Sequence, residues 1–290
     1  LRILHEFNTN PIIFAEDPLL DCEMKSEVKN GDVYLDKKYL FDEVVLNYEK
    51  RRPNYGAQIF SDIINYAGIT MDSSIIEVGC GTGQATAPFL KTKCHVVAVE
   101  LGENLAAFTR EKFKDYSNLE VIHSSYEDYA CDDHQFDMLF SATAFHWIAD
   151  DLGYKKAYQM LKSGGTLALF WNRPSPVSED DRTHQEIQAV YQVFLPEWSK
   201  RGKNSKKKLA YSSIEKIAQY GFRNIEKRVY HHTRTMTGSE YVELLNTYSD
   251  HVALVKSIQV PFYKAIREAI EQSGDKVMIH DTVELYLARK

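Results

Sequence analysis

No stretch of about 18 consecutive apolar residues occurs in this 290-residue chain, so no membrane-spanning helix is expected. The N-terminus lacks a basic segment followed by an apolar core, and no secretory signal is expected there. Cysteine is scarce, with four in all. Cys22, Cys80, Cys94 and Cys131 form no C-x-x-C pair, and no histidine cluster stands at zinc spacing, so no metal centre is expected. The four read as reduced, partly buried thiols of a cytoplasmic protein. Net charge is −6, which speaks against a general nucleic-acid or anionic-membrane binder. No internal repeat is present. The 44% apolar content is ordinary for a globular chain, and the length suits one large α/β domain or a core with a sizeable lid.

What is present is concentrated in Ile75-Ile76-Glu77-Val78-Gly79-Cys80-Gly81-Thr82-Gly83-Gln84. An apolar strand-length run ends in three glycines at alternate positions, with a helix expected from Ala85 to Leu90. Such a turn lets a backbone approach a ligand with no Cβ in the way. A dinucleotide fingerprint needs G-x-G-x-x-G, and its third glycine falls on Gln84. The pattern E-x-G-x-G-x-G instead resembles motif I of the class I S-adenosylmethionine (SAM) dependent methyltransferases. That resemblance implies SAM as cofactor, S-adenosylhomocysteine (SAH) as product, and Glu77, Gly79, Cys80, Gly81 and Gly83 as cofactor-binding residues. His95-Val96-Val97-Ala98-Val99-Glu100 is a second apolar run ending in a carboxylate. An acid about 20 residues past a glycine loop can accept hydrogen bonds from both ribose hydroxyls. Glu100 fits that place, with Leu101 beside it.

Strand and helix patterns alternate as a doubly wound sheet requires. Helices are expected at 41–49, 55–67, 103–116 and 154–161, the last stopped by Ser163-Gly164-Gly165. Strands are expected at 75–78, 96–100, 119–123, 136–141 and 166–171. Beyond Pro174 the regularity falls, with strands at 222–230 and 283–288. The resemblance implies an α/β fold: a Rossmann-like, seven-stranded, mostly parallel sheet flanked by helices, with a helical lid. The expected division is an N-terminal arm over 1–40, a SAM-binding core over 41–173, and an acceptor lid with sheet-completing strands over 174–290.

Three further segments resemble the small-molecule branch of the family, near the trans-aconitate and ubiquinone/menaquinone methyltransferases. Tyr48-Glu49-Lys50-Arg51-Arg52-Pro53-Asn54-Tyr55 is similar to Y-x-x-x-R-P-x-Y-P, with Gly56 in place of the last proline. There the tyrosine and arginine reach the methionine end of the cofactor, and a carboxylate suits a guanidinium. Tyr48 and Arg52 are the candidates. In His123-Ser124-Ser125-Tyr126-Glu127-Asp128, similar to G-D-A-E-D, Ser125 replaces an aspartate that accepts from the adenine amine. The backbone N–H of Tyr126 stands where adenine is met, its ring is a candidate stacking partner, and Glu127 keeps the family acid. Ser141-Ala142-Thr143-Ala144-Phe145-His146-Trp147-Ile148 is similar to S-x-x-A-x-H/Q-W-x. It places Ser141 and Ala142 against the cofactor through backbone atoms, leaves Trp147 to packing, and makes His146 the candidate catalytic group.

Methyl transfer is an in-line displacement in which the protein supplies alignment and a dry cavity. A carboxylate acceptor needs no base, whereas a neutral hydroxyl, amine or carbon acid does. His231, His232, Arg234 and Tyr248, with Trp171-Asn172-Arg173, are the acceptor-facing candidates, each weighed against ordinary packing. The basic cluster Lys200, Arg201, Lys203, Lys206, Lys207 and Lys208 reads as a solvated loop. The expectation is a SAM-dependent methyltransferase of a small soluble acceptor, a carboxylic acid among the candidates. The alternatives are a quinone or lipid-precursor enzyme, which would have a wider, more apolar lid, and a non-catalytic SAM-binding regulatory protein, which would bind the cofactor without turnover.

Overall fold

The computed structural model describes residues 45–176, 181–201 and 214–290. The expected N-terminal arm, Cys22 and Lys203 to Lys208 lie outside those residues. In chain order the elements are α1 (Val45–Arg51), α2 (Ala57–Ala67), β1 (Ser74–Val78), α3 (Thr86–Leu90), β2 (His95–Glu100), α4 (Glu103–Lys112), β3 (Leu119–His123), β4 (Phe136–Ala142), a 3₁₀ turn (Phe145–Trp147), α5 (Asp150–Met160) and β5 (Leu161–Pro176). Then follow α6 (Arg182–Phe194), α7 (Pro196–Arg201), α8 (214–219), β6 (Arg223–Met236), α9 (Gly238–Leu245), α10 (Ser249–Val252), α11 (Lys256–Gln272) and β7 (Val277–Arg289).

The seven strands form one sheet in the order β3-β2-β1-β4-β5-β7-β6. The first five are parallel, and β7 runs antiparallel to both β5 and β6. Side chains alternate between faces along a strand. Ile75, Val96, Ala168 and Phe170 therefore enter one core with Phe60 and Ile63 of α2. Ile76, Val97, Leu167 and Leu169 enter another with Tyr154 and Ala157 of α5. Both faces are covered, which is why these strands read as unbroken apolar runs. A third core, built from Ile187, Tyr241, Leu244, Phe262 and Ile266, belongs to a helical cap of α6, α9 and α11.

Several boundaries differ from expectation. The Gly164-Gly165 turn does not end a helix; it is a bulge inside β5, where pairing passes from Phe136↔Leu161 to Met138↔Thr166. The α5 helix starts earlier, at Asp150, with Asp150 and Asp151 in its first turn, where acids suit the helix dipole. The last three strands run well past the predicted ends. Ser175 pairs with His280 and Thr235 with Met278, so the 173/174 boundary falls inside a continuous strand. The added residues mix polar and apolar side chains, which hides them from an apolar-run reading. Met236, Val277 and Ile279 on these extensions close the core of the cap.

Candidate active site

Open α/β sheets bind ligands beyond the carboxyl ends of the strands, where the strand order reverses. Here that point lies between β1 and β4. The loop after β1 is left-handed at Gly79 (φ 71°) and Gly83 (φ 82°). A Cβ on Gly79 would stand 2.5 Å from the Cβ of Ala144, and one on Gly83 would collide with the Phe113 ring. Glycine is thus required at both, for a close approach as well as for φ. Glu100, at the end of β2, is 7% exposed. Its Oε2 accepts from the Gly81 amide at 2.7 Å and its Oε1 from the Gly102 amide at 2.9 Å.

Two adjoining chambers open above this loop. The outer one spans about 790 Å³, open solvent included, and is lined by Gly79, Gly81, Glu100, Leu101, Ser125, Tyr126, Glu127 and Trp147, among others. The inner one, of about 510 Å³, is lined by Glu77, Cys80, Gln84, Ala142, Asn172 and Tyr248, with Tyr55, Pro53 and Pro174. Tyr48, Arg52, Gly79 and Thr143 line both. The Arg52 guanidinium lies 4.8 Å from the ring centres of both Tyr48 and Tyr248 and donates to the Thr247 carbonyl at 2.6 Å. The first residues of the described chain and the cap are thereby joined over the boundary of the chambers.

Residues 75–165 match the family model of a methyltransferase domain. A methyltransferase-like protein of Schizosaccharomyces pombe, itself uncharacterized, is 27% identical over 210 residues, 72% of this chain and 77% of its own length. The chain carries a class I, SAM-dependent methyltransferase domain. Two solved structures share its fold. A Bacillus halodurans protein, named as a methyltransferase, has a TM-score of 0.52 at 18% identity, covering 81% of this chain and 99% of that one. Phosphoethanolamine N-methyltransferase 2 of Haemonchus contortus, solved with S-adenosyl-L-methionine, has a TM-score of 0.52 at 16% identity, covering 90% and 61%.

The outer chamber of the methyltransferase suits that cofactor. It joins a glycine cradle that a Cβ would fill to the acceptor-only carboxylate of Glu100 and the cationic Arg52. Of the residues expected from sequence, Tyr48, Arg52, Glu77, Gly79, Cys80, Gly81, Glu100, Leu101, Ser125, Tyr126, Glu127 and Ala142 line one or both chambers. Gly83, Ser141 and His146 do not. Gly83 packs on Phe113. The buried Ser141 hydroxyl donates to the Val78 carbonyl at 2.7 Å, tying the end of β4 to that of β1. The Ser125 hydroxyl donates to Asp128 at 2.7 Å. The Tyr126 ring departs from expectation: it is 4% exposed, packs on Phe145 in the core, and its hydroxyl donates to the Gly153 carbonyl at 3.3 Å. It is not available as an open stacking surface.

His146 is absent from the lining of both chambers. Its Nδ1 accepts from Trp171 Nε1 at 3.2 Å. Burial, with the nearby Arg173 and Arg52 charges, pushes its pKa down to about 3. Glu77 is fully buried and its Oε2 accepts from Thr86 at 2.5 Å. Burial, only partly opposed by that bond, raises its pKa to about 8, with Glu100 adding to the rise. Burial also pushes the Cys80 thiol well up, so it is no ready nucleophile.

Among the acceptor candidates, Tyr248 and Asn172 reach the inner chamber. His231 bonds Thr282, while His232 and Arg234 face Asp281. Arg173 pairs with Glu284 at 3.0 Å. Lining residues to which the sequence reading gave no role include Tyr55, Gln84 and Thr143. Thr143 adopts φ 54°, shares a 2.9 Å bond with Tyr55 and accepts from the Asn172 backbone N–H at 3.2 Å. Its signal was present, since it lies in the segment singled out after β4.

Proposed function

We propose that the protein transfers a methyl group from SAM to a small soluble acceptor, and that the acceptor is a carboxylic acid. SAM supplies an electrophilic methyl on a sulfonium; alignment and desolvation fall to this chain. In this reading Glu100 receives the ribose hydroxyls. Ser125, the Tyr126 backbone and Glu127 flank the adenine, and Leu101 packs beside it. Tyr48 and Arg52 take the methionine end at the boundary, and Gly79, Cys80, Gly81 and Ala142 form its floor. The inner chamber takes the acceptor, and α1 with the cap acts as its lid.

The observation that carries the acceptor class is the chemistry of the inner chamber. Glu77 keeps its proton at neutral pH, with its pKa near 8. The buried Gln84 Nε2 has no hydrogen-bond partner among the described residues. Both are donors that suit a carboxylate. A carboxylate also needs no base, and His146 is neither in the chamber nor basic enough to be one. His146 enters as a positioning residue for Trp171. These polar groups favour a small acid over a quinone or lipid precursor.

The test is SAH release from SAM across a panel of small carboxylic acids, quinols and fractionated small-molecule extract. Release with acids and not with quinols is expected. Release confined to quinols would reverse the acceptor assignment.

A further inference from the structure

Asn172, on the extension of β5, is 7% exposed and lines the inner chamber. Its Nδ2 donates to Asp281 Oδ1 at 2.7 Å. Asp281, from β7, is wholly buried; Arg234 Nη2 donates to its Oδ1 at 3.1 Å, Arg234 Nε donates to Oδ2, and His232 Nε2 lies 3.3 Å from Oδ2. A carboxylate gripped by a guanidinium only accepts hydrogen bonds, so the amide of Asn172 has one permitted orientation. That orientation turns Oδ1 away from Asp281. Oδ1 is buried and has no hydrogen-bond partner among the described residues. A buried amide oxygen left unpaired is costly, and a ligand group that pairs it recovers the cost.

We infer that Asn172 is a specificity-determining residue that takes an O–H or N–H donor on the methyl acceptor, with Asp281 as its positioning residue. Resting on the carboxylic-acid reading above, this narrows the acceptor to an acid that also carries a hydroxyl or amino group. An acid whose donor is masked by a methyl group leaves Oδ1 unpaired and is rejected. The aromatic rim of Tyr55 and Tyr248 makes planar acids suitable probes.

The experiment measures binding of hydroxy-, amino- and methoxybenzoates, in all ring isomers, to SAH-loaded protein by ligand-observed NMR. SAH affinity is measured by calorimetry in parallel. In at least one isomer the hydroxy or amino acid should bind about tenfold tighter than its methoxy counterpart. Asn172→Leu should erase that difference while SAH affinity stays within about twofold. Asp281→Asn lets the Asn172 amide turn, and should narrow or invert the preference. If Asp281→Asn does not fold, Asn172→Ser decides, again by loss of discrimination. Equal binding of hydroxy and methoxy acids to wild type, or discrimination that survives Asn172→Leu, overturns the inference alone. A large fall in SAH affinity in Asn172→Leu assigns Asn172 to the cofactor and also overturns it. Wild-type protein that binds SAH but no benzoate, or does not bind SAH at all, strikes the underlying reading instead.

Discussion

Two residues of the cofactor chamber make separable demands. Glu100 spends both carboxylate oxygens on backbone amides, at 2.7 and 2.9 Å, which holds it as an acceptor toward the chamber. Glu100→Ala should weaken SAM binding by about 1–3 kcal/mol; unchanged affinity in a calorimetric titration would remove it from the ribose. Gly79 fails differently when changed, because its left-handed φ and the 2.5 Å approach to Ala144 both reject a Cβ. Gly79→Ala should cost about 1–3 kcal/mol of stability and most SAM affinity, read by denaturant unfolding and titration. The glycines and Glu100 were legible from sequence because backbone approach and strand-end acids leave a spacing. Gln84 and Tyr55 were not legible as lining residues, because their meaning lies in neighbours from distant segments.

At the scale of elements, α1 has no buried residue of its own and is held by polar contacts. Arg51 meets Glu240 and Glu243 of α9, each at 2.7 Å. Arg234 of β6 donates to the Arg51 carbonyl at 3.3 Å, and Lys112 of α4 meets Glu49 at 2.7 Å. The helix therefore depends on both core and cap. Partly exposed pairs contribute little each, so Arg51→Ala should cost about 0.5–1 kcal/mol globally. Hydrogen exchange should rise sharply over 45–52 with the sheet unaffected. Uniform loss of protection across α2 and β1 would show that α1 is part of the core unit instead.

At the scale of the molecule, two groups shape stability against pH in opposite senses. Glu77 has a folded pKa raised from 4.5 to about 8, so the folded state binds the extra proton. Stability from this group is complete below 4.5 and is lost as pH rises through 8. His146 has a folded pKa lowered from 6.5 to about 3, so the unfolded state binds the extra proton, and stability is lost as pH falls below 6.5. Their slopes cancel between 4.5 and 6.5. Above 6.5 the Glu77 slope stands alone, at up to about 1.4 kcal/mol per pH unit. Glu77→Gln should flatten the fall between pH 6.5 and 8 in urea titrations, and an unchanged slope would show Glu77 ionised in the fold. SAH at about a hundredfold over its Kd should add about 2.7 kcal/mol to unfolding stability, read from the urea midpoint.

The sequence by itself determined the parallel core and the cofactor class. Strands buried on both faces are apolar throughout, as at residues 96–99 and 167–170, and a glycine loop followed by a strand-end acid carries the resemblance to the methyltransferase motif in local spacing. Only the tertiary structure decided the rest. The extensions of β5, β6 and β7 mix polar and apolar residues and make their hydrogen bonds with one another, so no single segment announces them. The orientation of Asn172 depends on Asp281 and Arg234, contributed by two other strands. His146 reads as a base in one dimension and becomes a half-buried, neutral partner of Trp171 in three. Burial and long-range polar pairing set those roles, and neither is a property of local sequence.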